Sequence, residues 1–300
     1  MMNWEFKLAD KSHGWFTEGP AWDGAGLLFT HVPTSRILRY SPETNSTLVY
    51  LEGTNNANGL AFDAQGRLYA CEGGARQVVL YDGDGSKLVV AKEFEGKRLN
   101  IPNDIVVDAS GSIWFTDPYY GVAVSWDPNE ENQDLSHCSV YRVDLQQQGW
   151  GSVTRVTLDT SAPNGILLSL DGNTLFVAES SADIGGDRQL RSYPIERNRS
   201  LGPSSILYDF GTDRPIDGMC LDSEGNILAT AGSRESGPGP SIWVFSEKGE
   251  VVDRHPVPEV PTNCAFGGVD MRTLYVTTAT GDLFMAVTEH QGMRPGKTGF

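Results

Sequence analysis

The segments Asn58-Gly-Leu-Ala-Phe-Asp63, Asn103-Asp-Ile-Val-Val-Asp108 and Asp217-Gly-Met-Cys-Leu-Asp222 are near-copies, each followed by two residues, a glycine and a new apolar run. Looser copies begin at Glu18, Asn164 and Asn263, so the repeat starts at 18, 58, 103, 164, 217 and 263. Spacings of 40, 45, 61, 53 and 46 residues suit units of four short strands, the period of β-propeller blades. An all-β, six-bladed propeller is therefore expected, with residues 1–300 as one domain because the repeat runs end to end without a linker.

Each unit reads as an inner strand, a turn with Asp or Gly, and an apolar second strand such as Ile113-Trp-Phe115. An alternating third strand follows, as in Val140-Tyr-Arg-Val143, and then a fourth, as in Leu88-Val-Val90. Only three strand-like runs follow Asn263, while Trp4-Glu-Phe-Lys-Leu8 precedes the first unit without partners. This orphan run is expected to supply the outer strand of the last blade, covering an edge that would otherwise be bare.

A formal net charge of -16 disfavours nucleic acid or an anionic membrane as partner. No apolar run reaches the ~18 residues of a membrane span, and Met1-Met-Asn-Trp-Glu-Phe-Lys7 lacks the pattern of a signal peptide. Cytoplasm is the expected location. Cys71, Cys138, Cys220 and Cys264 form no C-x-x-C pair and read as small buried thiols. His13, His31, His137, His255 and His290 never form H-x-x-x-H, so a zinc-hydrolase helix has no support.

The residue just before each inner apolar run is Glu18, Asn58, Asn103, Asn164, Asp217 or Asn263. Inner strands line a propeller's channel, so one position repeated per blade makes a ring of side chains. A ring with carboxylates and amide oxygens, and without sulfur or imidazole, selects a hard cation. Ca²⁺ comes first, with Mg²⁺ and Mn²⁺ open, ahead of Zn²⁺ or copper. Two carboxylates close together in a narrow channel would otherwise force one to hold a proton.

Five further segments sharpen this reading: Glu18-Gly-Pro-Ala-Trp22, Gly96-Lys-Arg-Leu-Asn-Ile-Pro-Asn-Asp104, Ser112-Ile-Trp-Phe-Thr-Asp-Pro118, Pro163-Asn-Gly165 and Pro261-Thr-Asn-Cys-Ala-Phe266. Over nearly its whole length the chain resembles the family of gluconolactonase, regucalcin (senescence marker protein) and luciferin-regenerating enzyme, its bacterial gluconolactonase branch above all. The resemblance implies a six-bladed propeller with one divalent metal in the channel. It carries the ligand set onto Glu18, Asn164 and Asp217, with Asn103 as a further ligand or substrate contact, and makes Asp104 a candidate for activity. Asn58 and Asn263, the remaining ring members, are expected to face the substrate. The chain departs from the family pattern at His31, in Phe29-Thr-His-Val-Pro33, where an Asp is usual; that change bears on the substrate.

The activity so implied is hydrolysis of a sugar lactone or similar small cyclic ester, which needs a polarised carbonyl and a deprotonated water. Calcium acidifies bound water far less than zinc does, so a carboxylate base, Asp217 or Asp104, is expected beside it. A purely structural role for Asp104 at the strand entrance stays open. Phosphotriester or aryl-ester hydrolysis on the same metal, and a non-catalytic calcium-binding propeller, are the alternatives. Antiparallel topology puts the loop between second and third strands at the ring's own mouth. The longest of these, residues 117–138, brings Tyr119, Tyr120 and Trp126, and the fifth, 231–240, brings Arg234 as a contact for an anionic substrate. The sequence leaves the oligomeric state unaddressed.

Overall fold

The computed structural model describes residues 4–11, 14–83, 85–119, 133–146 and 149–293. Six four-stranded antiparallel sheets stand in a ring, a six-bladed β-propeller. The inner strands are Thr17–Trp22, Ala57–Phe62, Ile105–Val107, Pro163–Leu168, Met219–Leu221 and Pro261–Gly267. Second strands, such as Leu27–His31 and Ile113–Asp117, are buried throughout. Sandwiched between neighbouring sheets, they carry apolar residues on both faces. Among the described residues no helix is long and apolar enough to cross a membrane.

The final Asp of the near-copies explains why the repeat is written as it is. Asp63 Oδ1 accepts from Gln65 N and Arg67 N, each at 2.9 Å. Asp108 Oδ1 accepts from Ser110 N at 2.9 Å and Ser112 N at 3.0 Å, and Asp222 Oδ1 from Glu224 N at 2.9 Å and Asn226 N at 2.8 Å. The glycine three residues on, Gly66, Gly111 or Gly225, has a φ of 77°, 83° or 87°, which a side chain would oppose. Each copy is thus a strand with its own hairpin turn attached.

The last blade closes as expected, with a shift. Lys7–Asp10 pairs antiparallel with Leu283–Val287, Lys7 opposite Met285 and Leu8 opposite Phe284. Trp4 stays outside the strand: its ring stacks on His255 with centroids 3.6 Å apart, and Nε1 donates to Glu289 Oε2 at 2.6 Å. Burying the indole requires a partner for its N–H, and Glu289 supplies one beyond the last strand. A hairpin of Glu93–Phe94 with Lys97–Arg98 had no signal in the sequence, since two-residue strands carry no alternation.

The carboxylate of Asp222 also holds the tail, since His290 Nδ1 lies 2.6 Å from Asp222 Oδ2. This hydrogen bond raises the imidazole above its ordinary range, against the opposing effect of partial burial. A raised folded value stabilises the fold fully below the unfolded pKa of about 6.5 and loses that contribution as pH rises through the folded value. Thermal unfolding followed from pH 6 to 9 should therefore show a decline in Tm that His290→Gln flattens. An unaltered slope in that variant would remove this pair from the account.

Candidate functional site

Ring residues are aimed by breaks in strand pairing. Register shifts fall between Glu18 and Ala21, Ala57 and Leu60, Pro163 and Ile166, and Pro261 and Cys264, at or beside the ring residue in four inner strands. In the other two blades Asn103, Asp104 and Asp217 lie just ahead of the paired strand. An extra residue in one strand re-aims its side chain, which is how such irregularities serve sites.

The glycine after the ring residue lets neighbouring inner strands touch. Gly59 N donates to Asn103 O at 2.7 Å, Gly165 N to Asp217 O at 2.8 Å and Gly218 N to Thr262 O at 2.8 Å. A Cβ on Gly165 would stand 2.5 Å from Asp217 O, and one on Gly218 would fall 2.0 Å from Asn263 Cγ. Four of the six ring residues are followed by glycine; Asp104 and Cys264 take that place in the others.

Three buried carboxylates, from the first, third and fifth blades, act on one another across the axis through their charge. Burial pushes Glu18 well above the usual carboxylate range, and the negative charges of Asp217 and Asp104 push it further. Burial is also the main cause of Asp104 rising to about 7; bonds from Ile105 N and Ile166 N oppose it, and the charge of Asp217 adds to it. Asp217 rises through burial, held back by Arg214 and by a hydrogen bond from the Asn164 side chain. The Asn263 amide reaches both Glu18 and Asp104, although its blade stands opposite that of Asp104. Only side chains lying on the axis meet in this way.

The donors fit a hard cation. Glu18 and Asp217 bring two carboxylates, Asn164 bonds to Asp217, and the buried Oδ1 of Asn58 has no hydrogen-bond partner among the described residues. Among those residues no three His, Cys, Asp or Glu side chains come close enough to hold an ion by themselves, so amide oxygens would have to complete the set.

Arg214, which sequence reasoning missed, pairs with this group: Nη2 donates to Asp217 Oδ2 at 2.7 Å. Beside the ring opens a cleft of about 380 Å³ lined by Asn164, Asp217, Arg188, Arg214, Ser181 and Ser236 among others. A second cavity, of about 270 Å³ and mostly apolar, lies at the far end of the inner strands between Val106, Leu168, Leu221 and Phe266. It contains none of the ring residues.

The expected substrate contacts divide. Asn58, Asn103, Asp104 and Asn263 are buried in the ring region, and partly buried Tyr119 opens the third loop. Tyr120 and Trp126 lie outside the described residues. His31 is not among the residues lining the cleft; it lines a small cavity with Thr34, Arg36, Leu38 and Thr47, its Nδ1 2.5 Å from Thr34 Oγ1. Arg234 is exposed and donates to Glu259 Oε1 at 2.8 Å and Pro258 O at 3.1 Å; it is not among the residues lining the cleft. A loop arginine with an acid within reach pairs there, and Arg214 and Arg188 are the guanidinium groups at the cleft.

Fold and site together define a class: six-bladed propellers whose polar groups converge on the axis at one mouth of the channel. Within it, the chain belongs to the SMP-30/Gluconolactonase/LRE-like family, whose pattern matches residues 16–280. It is similar to the gluconolactonase of Zymomonas mobilis, 26% identical over 290 residues covering 88% of this chain and 76% of that one. It is also similar to a pentonolactonase of Haloferax volcanii, 26% identical over 273 residues, 88% and 82% of the two chains. Among solved structures, a gluconolactonase from Xanthomonas campestris matches with a TM-score of 0.82 at 29% identity, covering 95% of this chain and 89% of that chain.

Proposed function

We propose that this protein is a lactonase that opens sugar lactones with the help of one divalent cation, Ca²⁺ in the first instance. The observation that carries this reading is the coupling of buried Glu18, Asp104 and Asp217, from alternate blades, through their charges and through hydrogen bonds from the amides of Asn164 and Asn263. The gluconolactonase and pentonolactonase relatives support the substrate class. Glu18, Asn164 and Asp217 would hold the ion, with Asn103 as a further ligand or substrate contact. When bound, the ion polarises the lactone carbonyl and acidifies water.

Asp104 is assigned as the base. Arg214 already engages one oxygen of Asp217 and Asn164 bonds to the same carboxylate, whereas no cation pairs with Asp104 among the described residues. As the water oxygen adds to the carbonyl carbon, Asp104 takes its proton. The ring C–O bond then breaks, and the departing oxygen recovers that proton as a hydroxyl. Asn58, Asn103 and Asn263 would orient the sugar hydroxyls, with Tyr119 as a further contact.

A pH-indicator assay of aldonolactones, on chelator-stripped protein refilled with Ca²⁺, Mg²⁺, Mn²⁺ or Zn²⁺, tests the reading. Turnover of no lactone with any ion would overturn it, and hydrolysis confined to aryl esters or phosphotriesters would redirect it. Asp104→Asn should lower kcat by about 10²–10⁴-fold, the usual worth of a general base, while calcium affinity changes little. Retained kcat would return Asp104 to a structural role.

A further inference from the structure

The lactonase reading leaves the cleft beside the ring unused, and the fifth blade departs from the three before it where the cleft opens. In the second, third and fourth blades a buried acid stands at or one residue before the end of the second strand: Glu72, Asp117 and Glu179. Each accepts a hydrogen bond from the residue three before the ring position. Asn55 Nδ2 donates to Glu72 at 2.9 Å, Asn100 N to Asp117 at 2.8 Å, and Ser161 N and Oγ to Glu179 at 2.8 and 2.6 Å.

In the fifth blade that strand ends in Ala231, and the residue three before the ring is Arg214. The acid that would absorb the guanidinium is missing. Arg214 turns to the axial Asp217 instead, at 2.7 Å, and its only other described side-chain bond is from Nη1 to Gly232 O at 3.4 Å.

Arg188 lines the same cleft. Its head donates to the carbonyls of Ser181 at 3.0 Å, Thr212 at 2.9 Å and Asp183 at 3.5 Å. These bonds fix the guanidinium without neutralising it, and among the described residues no carboxylate pairs with it. They also use three of the five N–H donors an arginine carries. A chain of net charge -16 has thus placed two guanidinium groups, with the hydroxyls of Ser181 and Ser236, in a polar cleft that opens onto Asn164 and Asp217. Fixed, planar, charged donors of this kind recognise oxyanions.

We propose that the substrate is an acidic sugar lactone, whose carboxylate or other oxyanion, remote from the lactone carbonyl, docks in the cleft against Arg188 and Arg214. This rests on the lactonase reading and narrows it to a substrate class. Arg188 binds the anion outright. Arg214 bridges, keeping Asp217 on one side and meeting the anion with its remaining donors.

The test is a ratio of kcat/KM values for matched lactones. D-Glucaro-1,4-lactone and D-glucono-1,4-lactone differ only in carrying a carboxylate or a hydroxymethyl group at the far carbon. The pair 6-phosphoglucono-1,5-lactone and glucono-1,5-lactone poses the same question for phosphate. The wild-type protein should favour the acidic member of one pair by at least about 10-fold, and Arg188→Met should reduce that preference by about 10–100-fold through KM, the worth of a charge-assisted hydrogen bond. Arg188→Lys should recover part of it. No preference in either pair, or a preference that Arg188→Met leaves intact, overturns the proposal.

If no lactone is hydrolysed by either form, it is the lactonase reading that fails. Calorimetric titration with glucarate and gluconate then decides the anion site. Tighter glucarate binding that is lost in Arg188→Met sustains it, and equal binding of the two acids overturns it.

Discussion

Glu18→Gln should reduce metal-dependent lactone turnover by about 10²–10³-fold, the range over which one preorganised electrostatic contact acts in a closed site. Charge is the reason: the variant keeps the shape and one oxygen of Glu18 and removes one of two carboxylates assigned to the cation. Stability should move the other way. Burial and the charges of Asp217 and Asp104 hold Glu18 well above its ordinary range, so its contribution to the metal-free fold is present below an unfolded pKa of about 4.3 and lost as pH rises through the folded value. At pH 8, with metal removed, Glu18→Gln should therefore melt higher than the wild-type chain, by about 2–4 °C for each kcal/mol regained. A variant both inactive and less stable without metal would point to a broken fold and not to a lost ligand.

Gly165→Ala is the second large effect. The added methyl would stand 2.5 Å from Asp217 O and 3.2 Å from Gly218 Cα, and both are backbone atoms that no rotamer change can move aside. Relief requires the fourth and fifth inner strands to part, which strains the 2.8 Å bond from Gly165 N to Asp217 O and carries Asp217 away from Asn164. Overpacking of this kind costs about 1–3 kcal/mol, and a misplacement near 1 Å can cost about 10²-fold in rate. Thermal unfolding and kcat/KM on one lactone check both. Gly83→Ala, where the new methyl meets nothing within 4 Å, is the comparison; equal effects in the two variants would sink the argument.

Much of this was legible in the sequence because a propeller repeats its instructions. Six occurrences of one position point to a ring at the channel, and the aspartate and glycine of each near-copy mark a turn. What stayed hidden depends on pairs brought together by the fold. Arg214 gains its meaning from an alanine at 231, where the second, third and fourth blades carry an acid, and that absence is visible only once the second strand is set in register against the approach to the first. Comparing the residue three before each ring position would have raised the question. Asp104 shares the axis with Asn263 because their blades face each other, a relation no linear spacing encodes. Arg234 reads in the sequence as a loop contact for an anionic substrate, while its partner Glu259 sits in the connection to the next blade.

The pairing of Lys7–Asp10 with Leu283–Val287 also sets an order of events during synthesis. The propeller's most N-terminal strand is claimed by its last, so it must wait unpaired while five blades are completed. Until residue 287 emerges the circle cannot shut, and the axial groups have no fixed distance across the gap. A nascent chain halted after the fifth blade would be an open arc with two sticky ends, ready to join a neighbour on the same message.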